Sequence, residues 1–305
     1  MELLKQLIGV ASVSGDEAKM SDFLQDYFRE KTNLKSKVKL FSGRELQDNL
    51  IVQIGEKPKV AIFVHADTTG YTVGYNNALI PIGSPAGKAG DRLVGKDNKG
   101  SVCGEIKKNE KDNRSIDFFR KIQPGTQLTY YPEYEQKEDY IKAPYLDNRV
   151  GIYAALKLAE SSNNFVIAFT SYEEHSFGGA EICGRFIYET FKIDNALILD
   201  STWVTENIHH GKGPAVSMRD KGIPRRSYLK HILKILEKTD LKYQIEVEAA
   251  GGSDGLALQK TAYPINWCFI GPPTKNPHSA KESIFKPDID DTVELYRFLI
   301  QNLSY

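Results

Sequence analysis

Two kinds of apolar pattern alternate along the chain, and the change from one to the other marks out its elements. Unbroken apolar runs of strand length occupy 60–64, 166–169 and 196–199, and 265–270 reads as a further strand. Such runs fit strands buried on both faces of a sheet. Spacings of three and four take over between them. Met20, Phe23, Leu24, Tyr27 and Phe28 predict an amphipathic helix over 16–31, with Ser14 and Glu17 in the positions of a capping box. Val150, Ala154 and Leu158 predict a helix beginning just after Asp147, which suits Asp147 as its N-terminal cap. Leu229, Ile232, Leu233 and Leu236 predict a helix over 226–240, and Leu295, Phe298 and Leu299 one over 292–302. Shorter β-type pieces at 38–40 and 50–54, with Asp48-Asn49 as a turn before the second, read as a strand pair. A turn into another short strand is expected at 212–216, and a strand at 243–249. The segment Gly251-Gly252-Ser253-Asp254-Gly255 marks a strand-to-helix junction, and Pro272-Pro273 leads into a loop.

From about 74 to 143 the pattern changes. Glycines and short β-type pieces at 79–82, 100–106 and 126–131 replace the helical periodicity, and Asp97-Asn98-Lys99-Gly100 reads as a turn. The expectation is an α/β protein formed by 1–73 and 144–305, with a small β-rich domain inserted at 74–143. The tyrosines of this region, Tyr130, Tyr131, Tyr134, Tyr140 and Tyr145, suit a cleft, an interface or an exposed β surface equally.

Composition narrows the class. At 305 residues, 26% charged and 41% hydrophobic, the chain has enough apolar sequence for a core and is too apolar for disorder. Lys plus Arg equals Asp plus Glu at 40 each, so net charge gives no pull toward nucleic acid or anionic lipid. The short basic cluster at Lys221, Arg225 and Arg226 reads as a solvated helix entry. Cys103, Cys183 and Cys268 are odd in number and far apart, which argues against a disulfide framework and for a reducing compartment. Glu2 and Lys5 make the N-terminus a poor signal peptide, and no apolar run reaches the ~20 residues of a membrane span. A cytoplasmic protein without nucleic-acid or membrane partners is expected.

The candidate chemistry lies where the strands stop. The runs end in His65-Ala66-Asp67, in Tyr172-Glu173-Glu174, in Asp200 and in the loop holding His278, with Asp147 at a helix start between them. Singly, each has an ordinary explanation: a hydrogen-bonded pair, a solvated acidic turn, a helix cap. Their recurrence at strand ends is the informative part, because open α/β sheets bind ligands beyond the carboxyl ends of their strands. If the ends converge, two imidazoles, terminal carboxylates and one bridging carboxylate make the ligand set of a dinuclear metal site, with ions ~3.5–4 Å apart. Mixed nitrogen and oxygen donors suit Zn²⁺ first, with Co²⁺ or Mn²⁺ as alternatives. Asp67 stands where an acid would orient a metal-bound His65. Of the two adjacent glutamates, one can bind metal while its neighbour takes a proton from water.

The chain resembles the dinuclear-metal aminopeptidases of the glutamyl aminopeptidase and tetrahedral aminopeptidase group, which includes proteins once labelled endoglucanase M. The resemblance rests on Ser14-Gly15-Asp16-Glu17, His65-Ala66-Asp67, Leu146-Asp147-Asn148-Arg149-Val150-Gly151, Tyr172-Glu173-Glu174, Gly178-Gly179-Ala180, Leu199-Asp200, Gly211-Lys212-Gly213-Pro214, Gly252-Ser253-Asp254 and His278-Ser279, in that order. It implies a mixed central sheet flanked by helices, with the inserted domain as lid or assembly surface and the chain as a homo-oligomer. It implies His65 and Asp200 on one metal, Glu174 and His278 on the other, and Asp147 bridging. Glu173 becomes the general base and later proton donor, Asp67 the residue orienting His65, and a peptide's N-terminal residue the group released. Thr68-Thr69 replaces the glutamate usual in the family after the first motif's aspartate, and Pro272-Pro273 and Asn276-Pro277 stand where an Arg-Tyr pair is usual. These departures leave the metal centre untouched and bear on specificity and assembly. Two other functions fit the same residues: a metal-dependent deacylase acting on N-acyl amino acids, and a non-catalytic binding protein that has kept the fold.

Overall fold

A computed structural model describes residues 1–31, 34, 37–176 and 178–303 of the chain. Its frame is an eight-stranded mixed sheet. Across it the strands run Val38–Gly43, Gln47–Ile54, Phe165–Thr170, Ala61–His65, Asn195–Ile198, Asn266–Gly271, Ala215–Ser217 and Gln244–Glu246. The four at the centre are mutually parallel, while antiparallel pairs join them to the outer strands.

Helices cover both faces, which explains the unbroken apolar runs: side chains alternate between two cores. Ile62, Val64, Ile167, Phe169, Leu197 and Ile270 pack in one core with residues of the helices Glu2–Gly9, Ala18–Glu30, Leu146–Ser161, Arg226–Leu236 and Lys286–Asn302. Phe63, Val166, Ala168, Ile198 and Phe269 face the other way, toward Gly178–Phe191 and Asp254–Lys260. Among the described residues, no helix is long and apolar enough to cross a membrane.

A second, six-stranded sheet takes Gly70–Val73, Leu79–Ile82, Arg92–Asp97, Gly100–Lys108, Arg114–Asp117 and Gln127–Tyr130, and encloses its own core around Tyr71, Leu93, Ile106, Leu128 and Tyr130. A third sheet orders Glu135–Gln136, Tyr140–Ala143, Glu282–Phe285, Pro273–Lys275 and Thr202–Trp203. Of the five tyrosines, Tyr130 and Tyr145 are buried, whereas Tyr131 and Tyr140 are exposed.

Several local expectations are corrected. The Ser14/Glu17 pair is no capping box. The helix starts at Ala18, Ser14 Oγ donates to Asp67, and Glu17 accepts from the backbone N–H of Gly15 and of Tyr172. Asp48-Asn49 is no turn but part of Gln47–Ile54, because the buried Asn49 side chain accepts from Ser171 N. Proline at 273 opens a strand where a loop was expected, and the last helix begins at Lys286, with Pro287 in its first turn.

Candidate metal centre

The parallel strands bring their ends out side by side. Thr170 lies opposite His65 and Ile198 opposite Phe63, so 66–67, 171–174 and 199–200 leave the sheet at one edge. His65 Nε2 is 3.1 Å from Asp147 Oδ1 and 3.2 Å from Asp200 Oδ1. His278, from the loop between Pro273–Lys275 and Glu282–Phe285, places Nε2 3.4 Å from Asp147 Oδ2 and 3.2 Å from Glu174 Oε2. The two oxygens of Asp147 therefore face different histidines. Ligand atoms of His65, Glu173 and Asp200 lie within 4.8 Å of one another, as do those of Asp147, Glu174 and His278. All six sequence-predicted residues meet at one place. Asp67 stands behind them, 3.4 Å from His65 Nδ1.

Local structure explains the placement. Asp147 is not the helix cap: its backbone is extended, and Asn148 Oδ1 instead accepts from Gly151 N at 3.0 Å while Asn148 Nδ2 donates to Leu199 O. Capping by the next residue releases the Asp147 carboxylate toward the histidines. Asp67 accepts from Ser14 Oγ at 2.6 Å and from the backbone N–H of Glu173 and Glu174 at 3.1 and 3.0 Å, so it orders the acidic pair through the main chain. Gly179 closes the turn behind that pair, since a Cβ there would collide with the backbone of Ser171 and with Asn49; a side chain at Gly178 would meet nothing.

Sequence reasoning missed several supporting side chains. Glu282 accepts from Asp147 N, Ser84 Oγ sits 2.8 Å from His278 Nδ1, and Thr170 Oγ1 donates to Asp254. The fully buried Arg149 donates to Ala66 O and Ser12 Oγ, fixing the chain beside His65. Ser14, Asn148, Arg149 and Asp254 lie in quoted motifs, but nothing local assigned them these partners; Ser84 and Glu282 carried no signal at all.

The electrostatics describe an excess of buried negative charge. Asp147, Glu173 and Asp200 are only 6–7% exposed, and the side chain of Glu174 is 4% exposed. Burial pushes Glu174 up to about 8, Asp200 up to about 6 and Glu173 well above the usual carboxylate range. Burial opposes the imidazolium of His278, yet Glu174 and Asp147 raise it to about 10; Asp200 and Glu173 likewise overcome burial at His65. Asp147 falls below its ordinary value because His278 and His65 outweigh its desolvation. Among the described residues, Asp67, Asp147, Glu174 and Asp200 form ion pairs only with the two histidines, and Glu173 forms none. Burying unpaired carboxylates costs several kcal/mol each, roughly, and divalent cations are the groups that relieve it. The donor set fits metal.

The family profile of M42 glutamyl aminopeptidases matches residues 110–295. The chain belongs to the M42 glutamyl aminopeptidase family. It is an aminopeptidase, a hydrolase, from a family of metal-dependent peptidases. The M42 match covers Asp147, Glu173, Glu174, Asp200 and His278, while His65 and Asp67 precede it. A relative from Acetivibrio thermocellus with an aminopeptidase description is 24% identical over 328 residues, spanning 96% of both chains. Among solved structures, aminopeptidase APDkam598 from the archaeon Desulfurococcus kamchatkensis superposes with a TM-score of 0.86 at 21% identity, covering 99% of this chain and 94% of that one. The TET1 peptidase of Pyrococcus horikoshii, which can assemble into a tetrahedron or a large octahedral shell, gives a TM-score of 0.82 at 22% identity over 99% of both chains. These likenesses establish the M42 fold for this chain.

Proposed function

We propose that this chain releases N-terminal residues from peptides with the aid of two divalent ions, His65 and Asp200 holding one, Glu174 and His278 the other, and Asp147 both. One observation carries this reading: each oxygen of Asp147 lies against a different histidine, with a further carboxylate beside each. Such ions, Zn²⁺ first and Co²⁺ or Mn²⁺ as alternatives, would supply Lewis-acid polarisation of the scissile carbonyl and a more acidic water. Glu173 lines the same cavity and is the group we assign to take the attacking water's proton and return it to the leaving amine. Asp67 holds His65 in orientation and ties down the backbone N–H of Glu173, so the base and the ligand are positioned by one carboxylate.

We assign catalysis to 1–73 and 144–305, and to the 74–143 insert a part in covering the cavity and in assembly. Supporting the first role, Ser84 contacts His278 and Ala86 N donates to His278 O. Supporting the second, Tyr75, Ile80 and Phe119 are exposed large apolar side chains, and the TET1 likeness favours a homo-oligomer. A cytoplasmic setting suits the three unpaired cysteines. The test is metal analysis of purified protein with a panel of free-amine peptides and N-acyl amino acids, with and without chelator. Chelator-sensitive release of N-terminal residues is expected. Hydrolysis of N-acyl substrates alone would make the chain a deacylase, and absence of both metal and hydrolysis would make it a binding protein.

A further inference from the structure

The cavity that holds the metal cluster continues to a second group of carboxylates that the reaction above does not use. It measures about 360 Å³ and, beyond the metal-cluster residues, is lined by Asp220, Glu246 and Glu248. Among the described residues, no lysine or arginine lines it. Arg219 donates Nε–H to the main-chain oxygen of Asp220 at 3.2 Å and not to its carboxylate, and among the described residues none of the three acids forms an ion pair with a basic side chain. Asp220 is fixed by Ser253 Oγ and Gly222 N, and Glu246 by Thr202 Oγ1, two residues along the chain from Asp200. Burial raises the pKa of both, a strain that a cation would relieve.

Two further features of the same cavity point to a ligand. Ser201 is 6% exposed, and among the described residues its buried Oγ has no hydrogen-bond partner. Trp203, half exposed, lines the cavity with its ring edge-on to that of His278, offering an aromatic surface to a positive charge. Acids, a free hydroxyl and an indole form the complement of a long cationic side chain. A glutamyl side chain would meet like charge there.

We propose that Asp220, Glu246 and Glu248 select lysine or arginine as the N-terminal residue of the substrate, a selection that rests on the aminopeptidase reading above. The experiment compares kcat/KM of the metal-loaded full chain on lysyl, arginyl, leucyl and glutamyl anilides. All four carry the same α-amine, so the lysyl-to-leucyl ratio isolates the side chain. Lysyl and arginyl substrates are expected to exceed leucyl by about ten-fold or more, and glutamyl to be the poorest. Glu248→Gln, at a half-buried position, and Glu246→Gln should each lower the lysyl-to-leucyl ratio several-fold, chiefly through KM, and Glu248→Asp should restore part of it. Leucyl or glutamyl preference in the wild-type protein, or an unchanged ratio in both glutamine variants with native melting curves, overturns this selection while leaving the aminopeptidase reading standing. Hydrolysis of none of the four overturns both together.

Discussion

Asp67→Asn removes one charge from the interior and nothing from its volume. Asp67 is fully buried and accepts from Ser14 Oγ, Glu173 N and Glu174 N at 2.6, 3.1 and 3.0 Å, with His65 Nδ1 at 3.4 Å. An asparagine keeps one acceptor oxygen and turns an NH₂ toward the remaining donors. Ser14 can rotate its hydroxyl to accept, but a backbone N–H cannot. One amide is left unsatisfied, at about 1–3 kcal/mol, and the surviving bonds lose their charge assistance, so we expect a loss near 3 kcal/mol in all. Metal affinity or activity should fall about 10–100-fold as His65 loses its orienting acid. The pH dependence has a definite sign. Burial works against the carboxylate, yet His65, Ser14 and the Glu174 amide hold its pKa below the ordinary 3.8. Its stabilising contribution is therefore present above that ordinary value and fades as pH falls through the lower folded value. Urea unfolding of chelator-treated wild type and variant, across pH 3 to 7, reads both effects: the gap should be full near neutrality and narrow at the acid end. Equal midpoints at pH 7 together with wild-type metal affinity would refute the role given to Asp67.

Removing metal should destabilise the fold, by about 2.7 kcal/mol where free ion had stood at a hundred times its dissociation constant, visible as a lower melting temperature with chelator and reversal on adding Zn²⁺. Because His278 is raised to about 10 and Glu174 to about 8 in the metal-free protein, metal must displace protons; affinity should rise from pH 6 to 8, and a pH-stat should record proton release on titration. Asn148→Ala leaves Gly151 N and Leu199 O without their partners, so denaturant unfolding should show a loss of about 2 kcal/mol or more, with turnover reduced because Asp147 precedes it.

Strand ends were legible because buried parallel strands leave unbroken apolar runs, and polar residues directly after them have few places to go but the sheet edge. His65, Glu173, Glu174 and Asp200 were found that way. Asp147 and Ser14 show where local rules mislead. The same letters that spell a helix cap here serve a carboxylate aimed at two histidines and a hydroxyl aimed at Asp67, and only tertiary contacts, across 53 positions for Ser14 and 82 for Asp147 to His65, separate the two meanings. Glu282 reaches Asp147 N across 135 positions from a short strand among prolines and polar residues, which has no periodicity to reveal it. The acidic wall of the cavity was invisible for the same reason, Asp220 coming from one segment and Glu246 and Glu248 from another.

Glu173 has the central role and also the most testable one, since its carboxylate lies close enough to His65 and Asp200 to be a ligand instead of a base. Metal stoichiometry and turnover of Glu173→Gln, measured on the same preparation, separate the two. The base assignment predicts two equivalents of metal retained and kcat reduced by about 10²–10⁴-fold. Loss of one equivalent, or turnover at the wild-type rate, would contradict it.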